Sequence, residues 1–176
     1  ATFQSWDSLL RRLMMYDESL NRLPLIHGND AFPLVKLAIV TIIVVTAIAS
    51  IVRVQRLGIK EGMKMSLTIL GIGGLLIAPA TGTYHYLVLL LPVGLFLSSV
   101  MRGTEKMIGY VVLGLHAAIG FVPYSLTRQF DGQGILTLLA YPRLIALSML
   151  YALIIAIVWR TVDRGQEPNG VVSLDG

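Results

Sequence analysis

Apolar residues do not alternate with polar ones along most of this chain; they come in long blocks separated by short polar or basic intervals. Five blocks stand out: Pro33–Val52, Met65–Ala80, Tyr84–Met101, Met107–Pro123 and Ile135–Trp159. A helix needs roughly 20 apolar residues to cross a bilayer, so the pattern predicts about five spanning helices. Lys36 lies near the start of the first block, where its amine can snorkel to the interface. Gly71, Gly73 and Gly74 in the second block, and Gly109, Gly114, Ala117, Ala118 and Gly120 in the fourth, are small residues spaced for close helix packing. The last block is interrupted by Tyr141-Pro142-Arg143.

The first 32 residues follow a different rhythm. Trp6, Leu9, Leu10, Leu13, Met14, Leu20 and Leu23 recur at three- and four-residue spacing, the signature of an amphipathic helix. Ser5 is positioned as its N-cap, Asp7 suits the positive end of its dipole, and the stretch from Asn21 to Pro24 should end it. Arg11, Arg12, Asp17 and Glu18 fall mostly off the apolar face. Such a helix can lie in the membrane interface or pack as an ordinary amphipathic core helix, and the interfacial arrangement is the expectation adopted. The expected organisation is all-α: an extracytoplasmic interfacial segment over residues 1–32, a transmembrane bundle over 33–160 and a polar cytoplasmic tail over 161–176.

Composition agrees with a lipid solvent. The chain is 55% hydrophobic and 14% charged with a mean hydropathy of +0.75, too few polar side chains to cover a water-facing surface. Its net charge of +4 raises a nucleic-acid reading, but the basic residues cluster between apolar blocks rather than along one face, and topology explains them better. Arg53, Arg56, Lys60, Lys64, Arg102, Lys106, Arg160 and Arg164 all fall on one side if the blocks alternate; Arg11, Arg12, Arg22 and Arg128 fall on the other. The positive-inside rule therefore puts the N-terminal segment, the Tyr84-His85-Tyr86 turn and the Arg128 loop outside. There is no cysteine, no cleavable signal peptide is visible, and the chain begins on Ala1 rather than Met, so a piece of a longer membrane protein is expected.

Candidate chemistry is sparse. No Walker loop, His-Glu-x-x-His or Gly-x-Ser-x-Gly pattern occurs, and no metal site is expected. The run from Pro79 to Pro92 contains Thr81, Thr83, Tyr84, His85 and Tyr86 between two prolines that interrupt helical hydrogen bonding at the outer membrane edge. His85 there could donate to a phosphate or move a proton; equally, with Tyr84 and Tyr86 it fits an aromatic interfacial belt. Arg143, just inside an apolar block, requires a partner, which could be a phosphate or Asp131. Arg128 could meet an anion or remain a solvated loop charge. His116 reads as an interhelical hydrogen bond, and His27 carries no assigned role.

Two segments carry a resemblance. Gln4-Ser5-Trp6-Asp7-Ser8-Leu9-Leu10-Arg11-Arg12-Leu13, followed after further spans by Pro79-Ala80-Thr81-Gly82-Thr83-Tyr84-His85-Tyr86-Leu87 and Leu91-Pro92, resembles the C-terminal part of glycosyltransferase family 87. These are polyprenol-phosphate-sugar-dependent, mannosyltransferase-like membrane proteins. The resemblance implies a GT-C fold with its active site on the extracytoplasmic face of a multi-pass protein, as in a prokaryotic plasma membrane. It implies transfer of a hexose such as mannose from a polyprenyl-phosphate donor to a glycan or glycolipid acceptor, with no cofactor. His85 maps to the family's motif histidine and becomes the expected catalytic residue; Arg11, Arg12, Tyr84, Arg128 and Arg143 become expected substrate contacts. The acidic general base of such enzymes normally sits in a first extracytoplasmic loop that has no counterpart here, so the missing N-terminal half of the same protein is an expected partner. A transporter piece, or a scaffold subunit that uses only its packing faces, stays open beside the enzyme.

Overall fold

The structure, a computed structural model, describes residues 4–16, 31–79, 83–101, 106–122, 127–131 and 133–164, with only the backbone for residues 83, 84, 128 and 164. All regular elements among them are helical. They are α1 (Trp6–Met14), α2 (Ala31–Val54), α3 (Ile59–Ile77), α4 (Leu90–Val100), α5 (Lys106–Phe121) and α6 (Pro142–Arg164). Four 3₁₀ segments connect or precede them: Gln55–Leu57, Thr83–Leu89, Arg128–Phe130 and Gly134–Ala140.

Side-chain contacts fix the direction of each helix. The start of α3 meets the end of α4 where the Ser99 hydroxyl donates to Glu61 at 2.7 Å, and the ends of α2 and α6 meet where Arg53 approaches Asp163 at 4.0 Å. At the opposite end, Arg143 at the start of α6 donates to the Val122 carbonyl just past α5 at 3.1 Å. The helices α2 to α6 therefore run up and down in alternation. One end gathers Arg53, Arg56, Lys60, Lys64, Lys106 and Arg160; the other gathers α1, Pro79, Tyr86 and Tyr141.

Among the described residues two stretches are long and apolar enough to cross a membrane, Ala31–Leu57 and Pro142–Asp163. The segments His85–Val100 and Lys106–Phe121 are apolar but shorter, and α3 carries Lys60, Glu61 and Lys64 in its first turns. Of the five expected spans, two among the described residues meet both the length and the apolarity criteria. Helix α6 continues past the apolar block that ends at Trp159, as far as Arg164.

Local chemistry explains the breaks. Pro142 has no N–H and disfavours helical backbone in the residue before it, so Tyr141 (φ −119°, ψ 50°) ends the 3₁₀ segment and Pro142 opens α6 as its first residue. Pro92 falls in the first turn of α4, where a missing N–H costs nothing; contrary to expectation, it does not interrupt that helix. The turn between α2 and α3 passes through Gly58 at φ +88°, a backbone position that L side chains resist.

The buried core runs through α3, α4 and α6, with Ile69, Ile72, Phe96, Leu147, Leu150 and Ile154 all fully enclosed. Gly71 allows Pro92 of α4 to approach: a Cβ there would stand 3.1 Å from the proline ring, so α3 and α4 meet almost backbone to ring. Gly114 and Gly120, by contrast, face open space, so the fourth block's small residues do not all serve one packed interface.

Candidate functional site

The end of the bundle opposite the basic loops is organised by α1. Ser5 caps that helix as the sequence predicts, its Oγ accepting the Ser8 amide at 3.2 Å. The helix packs against the bundle. Leu9, Leu10 and Met14 are buried, with Trp6 and Leu13 packed against the core, so its apolar face is occupied by protein. The helix also ends at Met14, earlier than expected; the remaining residues assigned to it, Asp17 to Pro24, lie outside the described residues.

Polar groups fasten this helix to distant parts of the chain. The Ser5 hydroxyl donates to the Pro79 carbonyl at 2.7 Å, and the buried Gln4 amide donates to the Ala140 carbonyl at 3.0 Å. The Tyr86 hydroxyl donates to the Gln4 carbonyl at 3.2 Å, and Ser8 and the fully buried Tyr141 share a hydrogen bond at 3.0 Å. Each of these bonds satisfies a group that burial would otherwise penalise, since an unmet buried donor or acceptor costs about 1–3 kcal/mol. The Gln4-Ser5 segment and the Pro79–Tyr86 segment, both singled out in the sequence, are thereby in direct contact.

Charges surround this junction. Asp7 receives Lys36 at 2.5 Å and Arg11 at 2.8 Å. Burial alone would raise its carboxyl pKa, but the hydrogen bonds from Lys36 and Arg11 outweigh it and hold the group below the usual carboxylate range. Arg11 and Lys36 also lie 5.1 and 6.0 Å from the centre of the Phe32 ring. Arg12, expected off the apolar face, is instead mostly enclosed and sits 3.0 Å from Asp131. Arg143 lies with its guanidinium 5.8 Å from the Tyr86 ring centre while donating to the Val122 carbonyl, so a helix-end carbonyl and an aromatic face provide its environment.

His85 is half-buried on the 3₁₀ segment beside Tyr86. The side chains of Tyr84 and Arg128 lie outside the described residues, although the Arg128 backbone sits three positions before Asp131. Of the expected site residues, the structure therefore brings Arg12 and Arg143 to the same end as the His85 segment and puts Arg11 on its rim.

Sequence reasoning gave several participants no place in the site. His116 of α5 lines a cavity of about 170 Å³ with Tyr86, Leu87, Leu90, Ile119 and Gly120. Its Nδ1 is buried without a hydrogen-bond partner among the described residues, so the expected interhelical bond is not made through that atom. Gln4 and Tyr141 also escaped notice as polar anchors; only their positions, inside a quoted motif and beside a proline, set them apart. Among the described residues no group of three or more His, Asp or Glu side chains is disposed to hold a metal ion. Comparison of the chain with protein-family models, curated proteins and solved structures returns no match.

Proposed function

We propose that this chain is the C-terminal part of a multi-pass glycosyltransferase of a prokaryotic plasma membrane, taking a hexose from a polyprenyl-phosphate donor at the extracytoplasmic face. One observation carries the reading. The two sequence segments that resemble glycosyltransferase family 87 lie 74 residues apart at Ser5 and Pro79, and they are hydrogen-bonded to each other at one end of the bundle.

Helix geometry supports a five-span arrangement. At 1.5 Å per residue the 19 residues of α3 cover about 28 Å, and the 16 of α5 about 24 Å. The 11 residues of α4 cover about 16 Å, to which the seven-residue 3₁₀ segment before it adds about 14 Å. Each path approaches the roughly 30 Å hydrocarbon thickness. The alternation of helix directions supports the same orientation, because it collects Arg53, Lys64, Lys106 and Arg160 at the end away from α1.

In the proposed reaction the acceptor hydroxyl attacks the anomeric carbon as the sugar–phosphate C–O bond breaks, with inversion. The hydroxyl proton passes to a carboxylate contributed by the upstream part of the protein. The electron pair leaves with the polyprenyl phosphate, whose charge His85 stabilises as a hydrogen-bond donor, aided by Arg143 beside Tyr86. The acceptor is a glycan or glycolipid. The test is transfer from a polyprenyl-phosphate hexose in membranes carrying the intact protein. A His85→Ala variant should lose about 10²-fold or more of turnover. Normal turnover in that variant, at equal abundance, overturns the role given to His85.

A further inference from the structure

A groove of about 520 Å³ runs along the outer side of α2 and α6, away from His85. Its α6 wall is built from Ser148, Tyr151, Ala152, Ile155, Ala156 and Trp159, positions that recur at three- and four-residue intervals on one helix face. From Ser148 to Trp159 that wall is about 16 Å long, roughly half the hydrocarbon thickness of a bilayer. The depth is that of one leaflet.

The polar groups on its floor need nothing from an occupant. The Tyr151 hydroxyl lies 2.9 Å from the Ile43 carbonyl and 3.0 Å from Thr46, and the Thr46 hydroxyl in turn lies 2.7 Å from the Ile42 carbonyl. What enters must therefore be hydrocarbon. Trp6 closes the end toward α1, and Trp159 stands at the other end, anchored by donation to Ser50 at 2.8 Å. At that end the charge changes. The Arg53 guanidinium covers the Trp159 ring at 4.4 Å, the exposed Arg160 follows Trp159 in the chain and the exposed Arg56 follows α2, with Asp163 the carboxylate beside Arg53 among the described residues.

We infer that the α2–α6 groove holds an acyl chain of an anionic phospholipid from the leaflet on the basic side, its phosphate held at Arg53 and Arg160. The inference rests on the membrane-spanning reading but not on glycosyl transfer. An apolar one-leaflet channel opening at an arginine cluster matches both parts of such a lipid, whereas a neighbouring apolar helix would match only the groove.

The test uses the intact protein extracted into mild detergent, exchanged into nanodiscs of either phosphatidylglycerol or phosphatidylcholine, and released for native mass spectrometry. Wild type should retain one phosphatidylglycerol and discriminate against phosphatidylcholine by about 30-fold, a preference that Arg53→Gln/Arg160→Gln removes. Ala156→Phe, which fills the groove without touching the arginines, should abolish retention of either lipid while thermal unfolding stays cooperative. Equal retention of both lipids by wild type, retention unaffected by Ala156→Phe, or a lipid-free protein whose groove is covered by a second copy would each overturn the inference. Resistance of the protein to alkaline extraction from membranes reads the spanning assumption separately.

Discussion

Replacing Ser5 by alanine removes two hydrogen bonds with one atom. The hydroxyl caps α1 by accepting from the Ser8 amide, and it donates to the Pro79 carbonyl 2.7 Å away, all at a residue that is 1% exposed. Loss of a serine cap costs about 1 kcal/mol, and loss of a buried bond to a carbonyl about 1 kcal/mol more. Together these weaken the docking of α1 by about 2 kcal/mol, or about 30-fold in its opening equilibrium. Hydrogen exchange of the Leu9 to Met14 amides in detergent micelles should speed up by that factor, while exchange in the centre of α6 should not change. Ser5→Gly separates the two contributions, because glycine substitutes for a serine cap at a cost of only a few tenths of a kcal/mol; with the Pro79 bond still lost, it should show an effect of about tenfold. If Ser5→Ala leaves α1 exchange at the wild-type rate, the two motif segments are not held together by this hydroxyl and the logic of the junction fails.

Asp7 supplies a pH-dependent part of the same junction. Its folded carboxyl titrates below the unfolded one, so the stabilisation it contributes is present above the unfolded value and disappears as pH falls through the folded value. Melting temperatures of wild type and Asp7→Asn should differ at about pH 6, by no more than about 1 kcal/mol in stability because Lys36 and Arg11 are largely exposed, and the difference should shrink as pH falls below the usual carboxylate range; parallel curves would contradict this. Gly62 offers a packing test. A Cβ there would stand 2.8 Å from the Val54 carbonyl oxygen, so Gly62→Ala should destabilise by about 1–3 kcal/mol, while Gly74→Ala, into open space on the same helix, should be neutral or gain up to about 1 kcal/mol from helix propensity. Thermal unfolding of the two variants side by side reads the contrast.

Block boundaries were legible because they depend on local chemistry. The break at Pro142 follows from a missing N–H, and the cap at Ser5 from a short side-chain oxygen ahead of an apolar-periodic run; both can be read within a few residues. Which face of a uniformly apolar helix meets protein could not be read so. Ile42 is 63% exposed and its neighbour Ile43 only 6%, yet nothing in the composition of α2 distinguishes them. The same limit hid the burial of α1, whose amphipathic pattern suits an interface and a core equally, and the turning of Arg12 toward Asp131. The site was partly legible for a related reason: Tyr86 and Arg143 could be marked by residue type, but their meeting depends on how α5 and α6 return to one end, which is a property of the whole bundle.

The bond from Gln4 to the Ala140 carbonyl spans 136 residues. At a synthesis rate of about 5–20 residues per second, the ribosome takes roughly 7 to 27 s to make the acceptor after the donor. For that interval α1 lacks Ala140, and for roughly the first half of it Pro79 as well, so its leucines have no finished surface to cover. Biogenesis must therefore shelter this helix until α6 begins to emerge, and the chain's first segment becomes among the last to reach its final position.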